Sequence, residues 1–220
     1  FTDNDAVTYE YAVGTGTGNE SSGTNYSLSF DGVDDYVEAG SNIDLRNSAF
    51  SIEVWYKKPI STHWNGTNII DNYGTSTSSS PNAWVLAILG NASGGSGVGK
   101  IAFSHSAAYV ESAERIDDGN WHHLAIERVS DGALKLFVDG QLNDTDTLPL
   151  STNIYTGYNL LIGSRHYNRF VECSISEIII SKQNTYYNSF TPPSNFTANS
   201  NTVLHLNIDE GTGTTLTDQT

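Results

Sequence analysis

The strongest constraint on this chain is a period of two. From Tyr26 onward, apolar residues alternate with polar ones in short runs, and turn residues interrupt every run. Leu28 and Phe30 oppose Ser27 and Ser29. Ile52, Val54 and Tyr56 oppose Glu53, Trp55 and Lys57, and Leu204, Leu206 and Ile208 oppose His205 and Asn207. Side chains alternate across a strand, so each such run can bury one face. Further strand-like runs span 68–73, 83–89, 100–105, 109–116, 121–129, 133–138, 158–164 and 170–181. Asp131-Gly132 and Asp139-Gly140 are hairpin signals of the type that needs positive φ. No stretch carries a helical period of useful length. About a dozen short strands joined by polar turns predict an all-β fold, a two-sheet antiparallel β-sandwich of the jelly-roll type.

The 220 residues are enough for one domain with a real core. Residues 1–25 are polar and rich in Gly, Thr and Ser. They read as a lead-in segment packed on, or flexible beside, the sandwich. Residues 26–220 read as a single sandwich, because the segment after Pro192-Pro193 returns to strand pattern and is too short for a second domain. A formal net charge of −15 excludes generic nucleic-acid binding, which needs a basic footprint, and suits divalent cations. The single Cys173 permits no internal disulfide and sits in an apolar run, as an inert buried thiol would. The chain has no methionine, no signal peptide and no apolar run of the roughly 18 residues that a membrane span needs. A domain excised from a longer protein is expected, without membrane insertion and monomeric by itself.

Six segments in fixed order carry a further signal: LSFDGVDDYVE from Leu28, FSIEVWYKKP from Phe50, WHHLA from Trp121, LFVDG from Leu136, LIGSRHYNRFVECSISEIII from Leu161 and LHLNIDEGTG from Leu204. Together they resemble the LamG-like (laminin G-like) branch of the concanavalin A-like lectin/glucanase superfamily, over roughly Tyr26 to Asp218. Two positions depart from the family pattern: Cys173 stands where a glycine is usual, and Ser176 where an aspartate is usual. The resemblance implies a jelly roll with one concave face and an extracellular setting. It also implies glycan, protein or other surface ligands, often with structural calcium, and a place as one module among the other domains of a larger parent protein.

Catalysis finds no support in the residues. Jelly-roll glycosidases aim carboxylates into a cleft from alternate positions of one strand, as E-x-D-x-E or a near variant. Glu111 and Glu114, and Glu172 and Glu177, differ in parity. No G-x-S-x-G, P-loop or H-E-x-x-H motif is present.

Binding residues are easier to nominate. Asp31, Asp34 and Asp35 form a compact acidic turn that suits Ca2+, or simply turn chemistry, since Asp readily bonds its own backbone. Asp139, Asp144 and Asp146 form a second acidic group, read as a solvated hairpin end or another cation site. Sugar recognition pairs aromatic faces with directed polar groups. His63, Trp64 and Asn65 lie in a polar loop where a tryptophan has little structural purpose. Tyr73 is another loop-like aromatic, and Trp55 lies on the strand face opposite the core residues and could line the concave surface. Trp84 reads as core or ligand contact. Arg165, His166, Tyr167 and Arg169 concentrate positive charge in a chain with ten Lys and Arg, and arginine reads carboxylate and sulfate as a fork. The alternative is a solvated loop offsetting nearby acids. His122 and His123, being adjacent, face opposite sides of a strand, with one expected inside beside Trp121. The expected function is a non-catalytic, lectin-like module of a secreted or cell-surface protein that binds a polysaccharide or other glycan. The rival is an adhesion or protein-binding domain, and a glycosidase or lyase comes third.

Overall fold

The computed structural model describes residues 8–11, 26–41, 43–60, 67–73, 80–90, 97–165, 169–209 and 215–220, with 8–11 and Arg169 described by their backbone. Sixteen strands follow in order: β1 (Thr8–Tyr11), β2 (Tyr26–Asp31), β3 (Val37–Glu38), β4 (Phe50–Lys57), β5 (Thr67–Asp71), β6 (Trp84–Ile88), β7 (Ile101–His105), β8 (Ala108–Glu111), β9 (Trp121–Arg128), β10 (Ala133–Val138), β11 (Gln141–Thr147), β12 (Leu161–Ile162), β13 (Ser164–Arg165), β14 (Arg169–Phe170), β15 (Glu172–Ser181) and β16 (Thr202–Leu206). Among the described residues there is no helix, hence none long and apolar enough to cross a membrane.

A large sheet runs β1-β2-β15-β4-β9-β10-β11, with β16 also paired to β15. A small sheet runs β3-β12-β5-β6-β7-β8, and β13-β14 form a separate hairpin. Every pairing is antiparallel. The period-two pattern is realised in the core. Leu28, Phe30, Ile52, Val54, Tyr56, Leu124, Ile126, Ile178 and Ile180 of the large sheet are buried in one cluster with Ile70, Trp84, Leu86, Phe103 and Val110 of the small sheet. Trp84 is core, stacked on Phe103 at 5.7 Å, and Cys173 is buried, which pushes its thiol pKa up. The final strand β16 pairs with β15 in the large sheet. Residues 8–11 of the lead-in pair with β2 as an edge strand.

The structure corrects the sequence reading in several places. The run 158–164 is split by Gly163, whose positive φ and contact with the Phe30 ring leave no room for a Cβ. The run 109–116 pairs only as far as Glu111. Beyond it Ser112 turns its hydroxyl to the Glu114 carbonyl at 2.6 Å. Of the two hairpin signals, Asp139-Gly140 has positive φ at both residues, but at Asp131-Gly132 only the glycine does.

The largest correction concerns the second acidic group. Asp144 and Asp146 lie in a strand, β11, which sequence pattern misses because its side chains are polar. Asp146 accepts the Tyr109 amide at 2.8 Å, Asp144 the Glu111 amide at 3.0 Å, and Asn143 the Ala113 amide at 2.9 Å. These three alternate donors belong to the edge strand of the small sheet and the residues just after it. Side chains from one sheet edge thus satisfy the open backbone of the other, which closes the sandwich and hides a row of unpaired N–H groups.

The outer face of the large sheet is covered too. Residues 183–196 cross it as a strap. Phe190 donates its amide to the Gly140 carbonyl at 2.9 Å. Thr185 donates its amide to Glu127 at 2.8 Å, Phe196 its amide to Glu177 at 3.0 Å, and Tyr186 its hydroxyl to Glu53 at 3.0 Å. His123 is fully buried beneath this strap, bonded through Nε2 to Glu53 at 3.2 Å. The rings of Trp55, Tyr186, Phe190 and Phe196 surround it edge-on. Burial, then the charge of Glu53, pushes the Glu127 carboxyl well above the usual range. His122 lies on the other side of the strand, between Asp139 at 2.7 Å and Asp118 at 3.1 Å. Burial works against its charge, but the hydrogen bonds and charges of those two aspartates outweigh it and raise the pKa.

Two predictions follow from these closures. Asp144→Ala and Asp146→Ala are each expected to lower the unfolding free energy by about 1 kcal/mol at neutral pH, the net worth of one hydrogen bond, as read from urea melts. The amides of Tyr109 and Thr147 hold the Asp146 carboxyl below its usual pKa. A lowered folded-state pKa contributes stability above the unfolded value, and that contribution is lost as pH falls through the folded one. The difference between wild type and Asp146→Ala should therefore shrink below about pH 4. An unchanged urea midpoint for both variants would show that the edge clamp carries no stability. Separately, Gly140→Ala should cost roughly 1–3 kcal/mol, because Gly140 has φ +73 and its Cβ would fall on the Phe190 carbonyl oxygen. Calorimetry checks this, and a variant as stable as wild type would mean that the strap is not held there.

Candidate functional site

The functional candidates gather at one end of the sandwich. The turn after β2 begins where Asp31 pairs with Glu172 of β15. Asp35 accepts the Asp31 amide at 2.9 Å, and Asp31 accepts the Val33 amide at 2.7 Å. These bonds fold the turn back on itself, so the turn chemistry expected of aspartate is realised. Asp31, Asp34 and Asp35 each offer a carboxylate oxygen, all within 4.8 Å of one another. Asp31 is exposed, Asp34 half-buried and Asp35 buried. An all-oxygen donor set of this compactness fits a hard divalent cation.

The next residue, Tyr36, carries the site across to the basic hairpin. Its ring lies 6.4 Å from that of Phe170. Phe170 pairs with Ser164, and Arg165 with Arg169, in β13-β14. Arg165 holds its guanidinium 4.9 Å over the Tyr73 ring. Tyr73 is anchored in turn by its amide, which donates to the buried Asp71 carboxylate, and that carboxylate also accepts from Asn68. The hairpin thus has two faces: Phe170 turns to Tyr36 and the acidic turn, and Arg165 turns to Tyr73.

Of the residues nominated from sequence, Asp31, Asp34, Asp35, Tyr73 and Arg165 meet here, and Arg169 joins through its backbone register. His63, Trp64, Asn65, His166 and Tyr167 lie outside the described residues. Trp55 is corrected. It does face away from the core, but it is 9% exposed and donates its indole N–H to the Pro193 carbonyl at 3.2 Å, so it lines no open surface. Pro193, of the proline pair before the last strand, is part of what covers it. Tyr36 and Phe170 were not nominated, although each directly adjoins a motif that was.

A potential catalytic face can be judged on the same geometry. Glu53, Glu127 and Glu177 all project from the outer face of the large sheet, yet they are only 4%, 0% and 5% exposed. Each is bonded to the strap.

This jelly roll belongs to a laminin G family of the concanavalin A-like lectin/glucanases superfamily, whose pattern matches residues 31–186. No curated protein matches the sequence. Among solved structures, the chain is similar to a putative carbohydrate binding protein from Bacteroides ovatus, at 16% identity and a TM-score of 0.63, covering 90% of this chain and 60% of that one. It is also similar to the CBM40 of a Ruminococcus gnavus sialidase bound to α2,3-sialyllactose, at 14% identity and a TM-score of 0.50, covering 73% of this chain and 92% of that one. A third similarity is to botulinum neurotoxin type C, described by its interaction with two ganglioside molecules, at 16% identity and a TM-score of 0.51, covering 73% of this chain and 40% of that one. The chain thus spans 60% of the length of the Bacteroides protein and less of the toxin. At these identities the likeness is one of fold.

The acidic turn makes its own prediction. Calcium at 100 times its dissociation constant should raise the unfolding free energy by about 2.7 kcal/mol, and Asp34→Asn should abolish most of that gain while leaving the metal-free melting temperature unchanged. Differential scanning fluorimetry with calcium and with chelator reads both. A wild-type melting temperature that calcium does not move would leave the turn with its backbone role alone.

Proposed function

We propose that this domain is a non-catalytic, lectin-like module that binds a polysaccharide or other glycan at the end of the sandwich formed by the acidic turn and the β13-β14 hairpin. The observation that carries the reading is the Arg165 guanidinium held over the half-buried Tyr73 ring, in a hairpin whose other face packs Phe170 against Tyr36 next to the three carboxylates. Rings cover the apolar faces of a pyranose, and a guanidinium offers directed hydrogen bonds to its oxygens. Calcium held by Asp31, Asp34 and Asp35 would stiffen the turn and supply a further oxygen-seeking centre. The fold likeness to proteins described as carbohydrate-binding supports this reading. The burial of Glu53, Glu127 and Glu177 under the strap supports a binding role over hydrolysis, because those carboxylates lack the open cleft that glycoside cleavage requires.

Such a module would work outside the cell, as one part of a secreted or surface protein, and would act as a monomer. By holding its parent on a polysaccharide it would raise the effective concentration of a tethered partner domain. A glycan array probed with and without chelator tests the proposal. Wild type should bind at least one glycan class, more weakly after chelation, and Tyr73→Ala should bind roughly five-fold less, the order of one weakened polar or stacking contact. Absence of any glycan signal together with capture of a protein ligand would replace this reading with the adhesion-domain one. Release of soluble products from a polysaccharide would replace it with catalysis.

A further inference from the structure

We propose that this end of the sandwich is selective for an acidic sugar, and that Arg165 reads its carboxylate or sulfate. The inference rests on the glycan-binding reading above and names the substrate class for the same site.

The other arginines with described side chains are all committed to oxygen. Arg46 pairs with Asp44 at 2.6 Å, and Arg115 with Asp117 at 2.7 Å. Arg128 lies buried under the 45–48 loop and donates to the carbonyls of Leu45 at 2.6 Å and Ser48 at 2.9 Å. Arg165 differs. It makes no ion pair with any described acid, although the chain holds 25 Asp and Glu against ten Lys and Arg. Its one recorded partner is the face of Tyr73. Its Nε is enclosed without a hydrogen-bond partner, as is the Oγ of the adjoining, fully buried Ser164.

A guanidinium stacked on a ring has its plane set in advance, and with Nε enclosed it is the pair of Nη groups that can receive two oxygens of a carboxylate or sulfate. The register of β13-β14 places Arg169 directly across from Arg165. Tyr73 lies under the guanidinium to support it, while Phe170, paired with Ser164, lies on the other face of the hairpin and packs against Tyr36. The whole-chain charge of −15 narrows the class further. At physiological salt its repulsion of an anion survives only within about 8 Å, so it acts on a dense polyanion whose charges crowd the surface more than on a glycan with a single charge at Arg165. One fixed arginine in an acidic protein therefore suits a glycan bearing isolated acidic units.

The test is an array of oligosaccharides carrying a single carboxylate or a single sulfate, each printed beside its carboxyl-reduced or desulfated counterpart and probed with the 220-residue chain. The acidic members should be retained roughly ten-fold or more above their neutral counterparts, as expected for hydrogen bonds to a charged group. The carboxylate and sulfate arms identify which oxyanion is read. Arg165→Gln should lose the preference, weakening the acidic members far more than the neutral ones, and Arg165→Lys, which keeps the charge without the fork, should recover only part of it. Equal retention of acidic and neutral members overturns the anion assignment and leaves glycan binding standing. An Arg165→Gln variant that melts with wild type and keeps the preference does the same. Should that variant fail to fold, the ratio measured for wild type decides alone. Retention of no member overturns both readings.

Discussion

The closure of the sandwich along the Tyr109 edge is a side-chain achievement, and much else depends on it. A two-sheet fold leaves edge strands whose amides must find partners. Here Asn143, Asp144 and Asp146 reach from β11 to the amides of Ala113, Glu111 and Tyr109. The two sheets are thereby fixed in spacing and register at one margin, without a shared ladder. That margin cannot easily accept a further strand, and it cannot widen into a groove without breaking three hydrogen bonds.

The outer face of the large sheet is closed by a different device. The strap of residues 183–196 meets a row of buried ionisable groups, and it gives a hydrogen bond to each of Glu53, Glu127 and Glu177 from the Tyr186 hydroxyl or a backbone amide, while Glu127 Oε1 and His123 Nδ1 stay enclosed without a partner. The arrangement is costly on its own terms, because buried carboxylates demand partners. It follows that this face acts as a second, smaller core built around Trp55, Ile179 and Phe196. In a fold whose relatives include glucanases, occupation of such a face by the chain itself bears directly on mechanism: a substrate cannot reach Glu53 unless the strap leaves. With one edge clamped and this face covered, the loop end that carries Arg165 and the acidic turn becomes the natural place for a ligand.

How far the sequence could be read follows from what each residue must do. Core strands such as β4 and β9 were legible because burial of one face forces alternation, as at Ile52 and Val54 or Leu124 and Ile126. The edge strand β11 was not, since its residues serve hydrogen bonds to a neighbour and burial imposes no pattern on them. Trp55 misled for a related reason. Alternation correctly placed it away from the main core, but no local signal reveals that a segment about 140 positions later will cover it, and coverage of that kind is a property of topology alone. Tyr73 and Arg165 were each nominated separately. Their contact could not be, because it joins the turn after β5 to a hairpin nearly a hundred residues further along the chain.

The acidic composition takes on a different meaning in this light. Read as surface charge, −15 suggests a broad negative field. Yet Asp144 and Asp146 are tied to backbone amides, Asp44 and Asp117 are paired with arginines, and Glu53, Glu127 and Glu177 are buried under the strap. These acids are structural fasteners, each placed where an N–H or a cation would otherwise stand alone. Asp34 is unlike them. Among the described residues it has no recorded hydrogen bond or ion pair, and its carboxylate faces those of Asp31 and Asp35. Arg165 is its counterpart among the cations. Among the described residues the side chains of Asp34 and Arg165 make no hydrogen bond or ion pair, as is true also of those of Glu114, Glu172 and Lys182, but only Asp34 and Arg165 are held in place by the ordered groups beside them, and unmatched charge held in that way is what a polar ligand can complete.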